Sequence, residues 1–137
     1  MLGGCVNKTP LPSSDTIENN DLLEKYNLEI SVYAWNDYMP GFTPRPNPHL
    51  NVIFKSTSDK SIPNINVWAK ITSGKNTLDT MLTCDGNSPK NNFETFRAGS
   101  AQGLKMDTGE TLTVVVTFEI GNEKQTLTFY PVVIATH

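Results

Sequence analysis

The sequence predicts an all-β domain: an antiparallel two-sheet sandwich of about seven strands spanning residues 27–137. Three observations predict it. From Leu28 onward apolar and polar residues alternate with period two, turn-forming clusters separate the alternating runs, and no run has the 3.6-residue apolar spacing of a core-facing helix. Alternation with one polar face implies antiparallel sheets covered on one side only. Two such sheets packed face to face need roughly 100 residues. A closed barrel satisfies the same pattern and stays open as the competing architecture.

The elements follow in order. In "LEISVYAW", Leu28, Ile30, Val32 and Ala34 point one way while Glu29, Ser31, Tyr33 and Trp35 point the other. "HLNVIFKS" puts Leu50, Val52 and Phe54 on one face, and "INVWAKIT" sets Ile65, Val67, Ala69 and Ile71 against Asn66, Trp68 and Lys70. "NTLDTMLT" and "NFETFRAG" are weaker strand candidates. "TLTVVVTFEI" is the strongest, with Leu112, Val114, Val116, Phe118 and Ile120 on one face and threonines on most of the other. It turns through "GNEK" into "QTLTFYPVVIAT", where Pro131 forces a bulge or an edge position because it cannot donate to a ladder.

Residues 1–26 read differently. "VNKTPLPSSDTIENNDLLEK" is polar and proline-rich and gives little to bury, so it predicts a flexible tether. Within it, "TIENNDLLEKY" has the makings of one or two helical turns capped by Thr16, but its apolar residues are too sparse for a packing face.

Composition excludes some roles. Charged residues make up 18% and the net charge is −3, which leaves no basic footprint for nucleic acid. No apolar run is long enough for a membrane-spanning helix. Two cysteines, Cys5 and Cys84, are too few for a disulfide framework and too far apart for a zinc ribbon. In an oxidising compartment they can pair with each other.

The stretch "LKMDTGETLTVVVTFEI" places a leucine, a turn containing Gly109 and then a long alternating strand starting at Leu112. From about Leu104 to Ile134 this resembles the entry to the penultimate strand of immunoglobulin-like and fibronectin type III-like modules. The resemblance implies an immunoglobulin-like sandwich, with Trp68 as the candidate for the core tryptophan. The late-strand cysteine of true immunoglobulin domains is missing.

Leu2-Gly3-Gly4-Cys5 resembles the lipobox of bacterial lipoproteins, an aliphatic residue and two small ones ahead of the cysteine that is acylated. In that family a basic and apolar signal segment precedes the box, so the resemblance implies a precursor that starts upstream. It further implies a membrane partner through a lipid anchor on Cys5, a polar tether clearing the headgroups, and residence in the cell envelope. Val6 is not the aspartate linked to inner-membrane retention, which points to the outer membrane or cell surface. The competing reading is an incidental cysteine in a polar N-terminus.

Catalytic chemistry finds little support. A serine or cysteine nucleophile needs a base beside it, and the histidines are His49, at a strand start, and His137, the last residue. Cys84 precedes the turn-rich "DGNSPKNN" and reads as a structural thiol. The late Cys, His and Met of a blue copper site are not close together. No cofactor or metal ligand set is predicted; Asp85, Asn87, Asp107 and Glu110 sit in turns where carboxylates usually bond their own backbone, with calcium as the alternative.

"YAWNDYMPGFTPRPNPH" is the most unusual segment. Pro40, Pro44, Pro46 and Pro48 stiffen a loop crowded by Trp35, Tyr38, Met39 and Phe42, with Arg45 as an exposed polar contact. Such a loop either forms a rigid platform for a partner side chain or sugar ring, or folds its aromatics over the end of the sandwich. Trp68 adds a second aromatic surface. The expectation is a non-catalytic, lipid-anchored binding or assembly module, partnered by another envelope protein or a polysaccharide. The alternatives are a carbohydrate-binding module using these aromatics and a small metal-binding protein built around Cys84 and His49.

Overall fold

A computed structural model of the protein describes residues 17–18, 22–38, 47–58, 62–74, 76–88 and 92–136. They form ten strands: β1 (Ile17–Glu18), β2 (Leu28–Asp37), β3 (Asn47–Ser56), β4 (Ile65–Ser73), β5 (Asn76–Met81), β6 (Thr83–Ser88), β7 (Phe93–Gly99), β8 (Thr113–Ile120), β9 (Glu123–Phe129) and β10 (Ile134–Thr136). One helical turn, α1 (Leu22–Lys25), precedes β2, and a 3-10 turn at Ser100–Gln102 follows β7.

The strands make two five-stranded sheets, ordered β1-β9-β8-β4-β5 and β10-β2-β3-β7-β6. Within them, β2-β3-β7-β6 and β5-β4-β8-β9 reproduce the A-B-E-D and C′-C-F-G orders of immunoglobulin-like sandwiches. Two short pieces are added at the chain's ends. β1 runs parallel to β9 and extends one sheet, and β10 runs parallel to β2 and extends the other.

The alternating runs turn their apolar face inward as period two requires. Leu50, Val52 and Phe54 of β3 meet Val67, Ala69 and Ile71 of β4, and Val114, Val116 and Phe118 of β8 complete the layer; all are buried. Phe54 stands edge-on to both Phe96, at 5.7 Å between centroids, and Phe118, at 5.1 Å. Gly109 takes a left-handed φ of 93° in the turn before β8, as expected of that position, and Leu112 begins the inward face.

Four readings of the sequence need correction. The end of the predicted tether belongs to the fold: Ile17–Glu18 pairs with Glu123–Lys124, and Leu22 is completely buried. The Leu22 amide donates to Gln125 Oε1 at 3.1 Å, and Asn27, at φ 53°, ends the turn with its carbonyl accepting from Thr57 N at 2.8 Å. These bonds do what a wide apolar face does for longer helices. Second, "TCDGNS" is the edge strand β6, with a register shift between Cys84 and Asn87, although its composition reads as a turn. Third, Trp68 lies on the strand expected of a core tryptophan but its neighbours Val67 and Ala69 take the inward positions, so it faces outward. Fourth, Pro48 is the second residue of β3 and buried, not part of the loop, whereas Pro131 lies where the chain leaves one sheet for the other.

Candidate docking face

On the outer side of the sheet β10-β2-β3-β7-β6, pairing register sets side chains in rows across the strands. One row is Ile134, Trp35, His49 and Gly99. The next is Tyr33, Asn51, Arg97 and Thr83. Their chain neighbours Ala34, Leu50 and Ala98 are buried, which fixes the rows on the solvent side.

Trp35 and His49 are cross-strand partners with ring centroids 5.1 Å apart and planes 18° from parallel. Side chains stand roughly perpendicular to a sheet, so this stack presents ring edges, not faces, to solvent. Ile134 flanks Trp35 in register on the other side.

Four large apolar residues among those described are exposed: Tyr33 (55%), Tyr130 (66%), Val132 (53%) and Ile134 (57%). Tyr33 lies on β2 and Ile134 on β10, while Tyr130 and Val132 lie in the crossover from β9 to β10. The crossover from β9 to β10 explains three of them. Val133 turns into the core, so Tyr130, Val132 and Ile134 alternate outward. The crossover is pinned by Leu112 N donating to Pro131 O (2.9 Å), Val133 N to Glu110 O (2.9 Å) and Gly109 N to Val133 O (2.7 Å). The turn before β8 thus takes up the backbone of Val133, the residue ahead of β10. That turn is itself tied to the end of β2. Buried Asn36 donates from Nδ2 to Met106 O (3.2 Å) and Thr108 Oγ1 (3.1 Å), and the Tyr38 hydroxyl meets Thr108 Oγ1 at 2.8 Å.

At the other end of the rows lies an open cleft of about 220 Å³, lined by Asn47, His49, Thr83, Arg97, Ser100 and Gln102 among others. The 3-10 turn forms its wall. Gln102 accepts from Gly99 N (2.8 Å) through Oε1 and donates from Nε2 to Thr83 Oγ1 (3.2 Å). Ser100 Oγ donates to Asn47 Oδ1 at 3.4 Å. These bonds fix the amides that border the cleft.

Of the residues singled out in the sequence, Trp35 and Tyr38 fall at or beside this face, whereas Trp68 lies on the outer side of the opposite sheet, in register with Thr117 and Met81. Trp68 is thus a surface separate from Trp35 and Tyr38, on the other sheet. Met39, Phe42, Arg45 and Cys5 lie outside the described residues. Tyr33, Tyr130, Val132 and Ile134 escaped sequence reasoning as site residues, since alternation shows which side a residue takes but not whether that side is covered.

The alternative built on Cys84 and His49 loses its geometry. Cys84 shares the inward side of its sheet with Phe96 and Val52, while His49 faces out, so the two lie on opposite faces. Cys84 also takes part in a disulfide, which corrects its reading as a thiol. Its sulfur lies 3.6 Å from Oε2 of Glu94, a buried carboxyl whose desolvation pushes its pKa up to about 7.

The four acidic and amide residues considered for calcium do not gather either. Asp85 and Asn87 belong to β6, at one edge of the sheet. Asp107 and Glu110 lie in the turn bonded beside β10, at the opposite edge. The Glu110 carboxylate is already engaged, accepting at Oε1 from Ser73 Oγ (2.5 Å) and Asp107 N (2.6 Å). Among the described residues no three His, Cys, Asp or Glu side chains come together as metal ligands. No known family model and no curated protein matches the chain.

Proposed function

We propose that the protein is a non-catalytic binding or assembly module of the cell envelope, held by a lipid on Cys5, whose docking face is the outer β2–β10 side of the sandwich. One observation carries the docking reading: exposed Ile134 pairs in register with Trp35 of the Trp35–His49 stack, exposed Tyr33 lies two residues before Trp35 on the same side of β2, and exposed Tyr130 and Val132 lie in the crossover leading to Ile134. Scattered surface apolar residues are ordinary, whereas a contiguous group marks an interaction site. A protein partner suits it better than a polysaccharide. Sugar stacking needs an open ring face, and Trp35 is flanked by His49 and Ile134.

Site-specific photo-crosslinking in intact cells tests the docking face. A photoreactive residue at Ile134 yields one discrete adduct, and the same residue at Lys70, exposed on the opposite sheet, does not. Equal adduct patterns from both positions refute it.

The anchor rests on the lipobox resemblance and the polar stretch behind it. A second reading is favoured by the disulfide at Cys84: Cys5 is the chain's one other cysteine, and a sulfur joined to Cys84 cannot carry diacylglycerol. Intact mass of protein expressed with its native upstream sequence separates the two. A lipidated mass supports the anchor, and an oxidised, unlipidated mass removes it while leaving the docking face in place.

A further inference from the structure

We propose that a second cleft, between the β2–β3 end of the sandwich and the segment Leu104–Asp107, binds a primary ammonium carried on an unbranched methylene chain. The site is distinct from the docking face, and neither depends on the other.

Asn36, near the end of β2, and Pro48, near the start of β3, are partners in register. With Leu104, Lys105, Met106 and Asp107 they line an open cleft of about 190 Å³. That is several times the roughly 30 Å³ of one water, so a short organic chain can enter. Pro48, Leu104 and Met106 are buried and give the wall an apolar character that suits methylene groups.

Asn36 sets the polar end of the ligand. It is 1% exposed, and its amide orientation is fixed because only Nδ2 can donate to Met106 O, at 3.2 Å. Nδ2 also donates to Thr108 Oγ1 at 3.1 Å, which uses both of its hydrogens. Oδ1 remains as a buried acceptor with no hydrogen-bond partner. Folded proteins rarely leave such an atom unmatched, so it calls for a donor from outside the chain.

Asp107 supplies the charge. Its side chain is exposed at the rim, and no ion pair joins it to Lys105 or to any other cation among the described residues. Glu110, whose carboxylate accepts from the Asp107 amide, adds a second negative group to the same turn. A buried acceptor among apolar side chains, next to an unneutralised carboxylate, matches an ammonium with its three donors and no acceptor. The tight wall around the Asn36 carboxamide selects a slender cation over a bulky one.

The test follows amide shifts of the ¹⁵N-labelled full chain, including the Asn36 side-chain amide, during titration with n-butylammonium, butyltrimethylammonium and 1-butanol. n-Butylammonium is expected to shift that side-chain amide together with Lys105, Met106 and Asp107. It should bind at least about tenfold tighter than either analogue, since charge-assisted hydrogen bonds are the stronger ones. Asp107→Asn removes that preference, whereas Asp79→Asn, the same loss of charge on the edge strand β5, leaves it intact. Lys105→Gln takes a like charge from the rim and tightens binding. Equal binding of the three compounds, a preference that survives in D107N or falls equally in D79N, or shifts that bypass the Asn36 side chain overturn the proposal. A larger response to calcium chloride also overturns it, in favour of a metal ion on the same oxygens. Tighter binding of acetyl-lysine methylamide than of n-butylammonium supports a protein lysine as the source of the ammonium, and the reverse order supports a free amine.

Discussion

Replacing Glu94 by glutamine should flatten the pH dependence of folding. Glu94 is 4% exposed on the inward side of β7, opposite Phe54 in register and 3.6 Å from the Cys84 sulfur. Burial raises its pKa from 4.5 to about 7. The unfolded chain therefore releases this proton near the ordinary value, whereas the folded domain holds it until about 7. Between those limits the folded state binds more protons, so stability falls as pH rises and levels off above the folded pKa. At roughly 1.4 kcal/mol per pH unit of difference, the loss across the window is about 3 kcal/mol. Urea unfolding followed by tryptophan fluorescence from pH 4 to 8.5 measures it. Wild type should lose about 3 kcal/mol more than E94Q across that range, with the two proteins closest at the acid end. Parallel stability profiles for the two proteins would show that the carboxyl ionises freely in the fold, and the reasoning from burial would fail.

Two further substitutions test the packing. Leu22→Ala removes a completely buried side chain from the segment preceding β2 and should cost about 2–5 kcal/mol in urea melts, a loss that a free tether could not produce. Phe54→Ala deletes the ring that contacts both Phe96 and Phe118, and should cost about 3–5 kcal/mol with a cavity between the sheets.

The central strands were legible because their inner and outer faces differ. Leu50, Val52 and Phe54, or Val114, Val116 and Phe118, declare their side by period alone. The edges were not. β6 is made of residues that also build turns, and it is a strand because β7 supplies a partner through Thr83↔Arg97 and Ser88↔Phe93. In "NFETFRAG" the aromatics Phe93 and Phe96 stand three apart, so period two cannot choose a face, and the buried position of Glu94 was hidden. The helical turn of "TIENNDLLEKY" was legible but its attachment was not, because that depends on Gln125, 103 residues away from Leu22. The candidate docking face was half legible. Trp35 and Tyr33 were placed on the solvent side by alternation, but their approach to Ile134 depends on a parallel pairing between the two ends of the chain.

That pairing of the ends also decides how the domain carries mechanical load. A pull on the chain ahead of Ile17 acts along β1, whose hydrogen bonds to β9 run across the direction of force and are sheared together instead of opening one by one. A pull on the exposed apolar strip near Ile134 loads β10 against β2 in the same manner. Tension between whatever holds the leading segment and whatever grips the strip also runs along the chain through α1 into β2, the neighbour of β10, so the short β2–β10 ladder bears it directly.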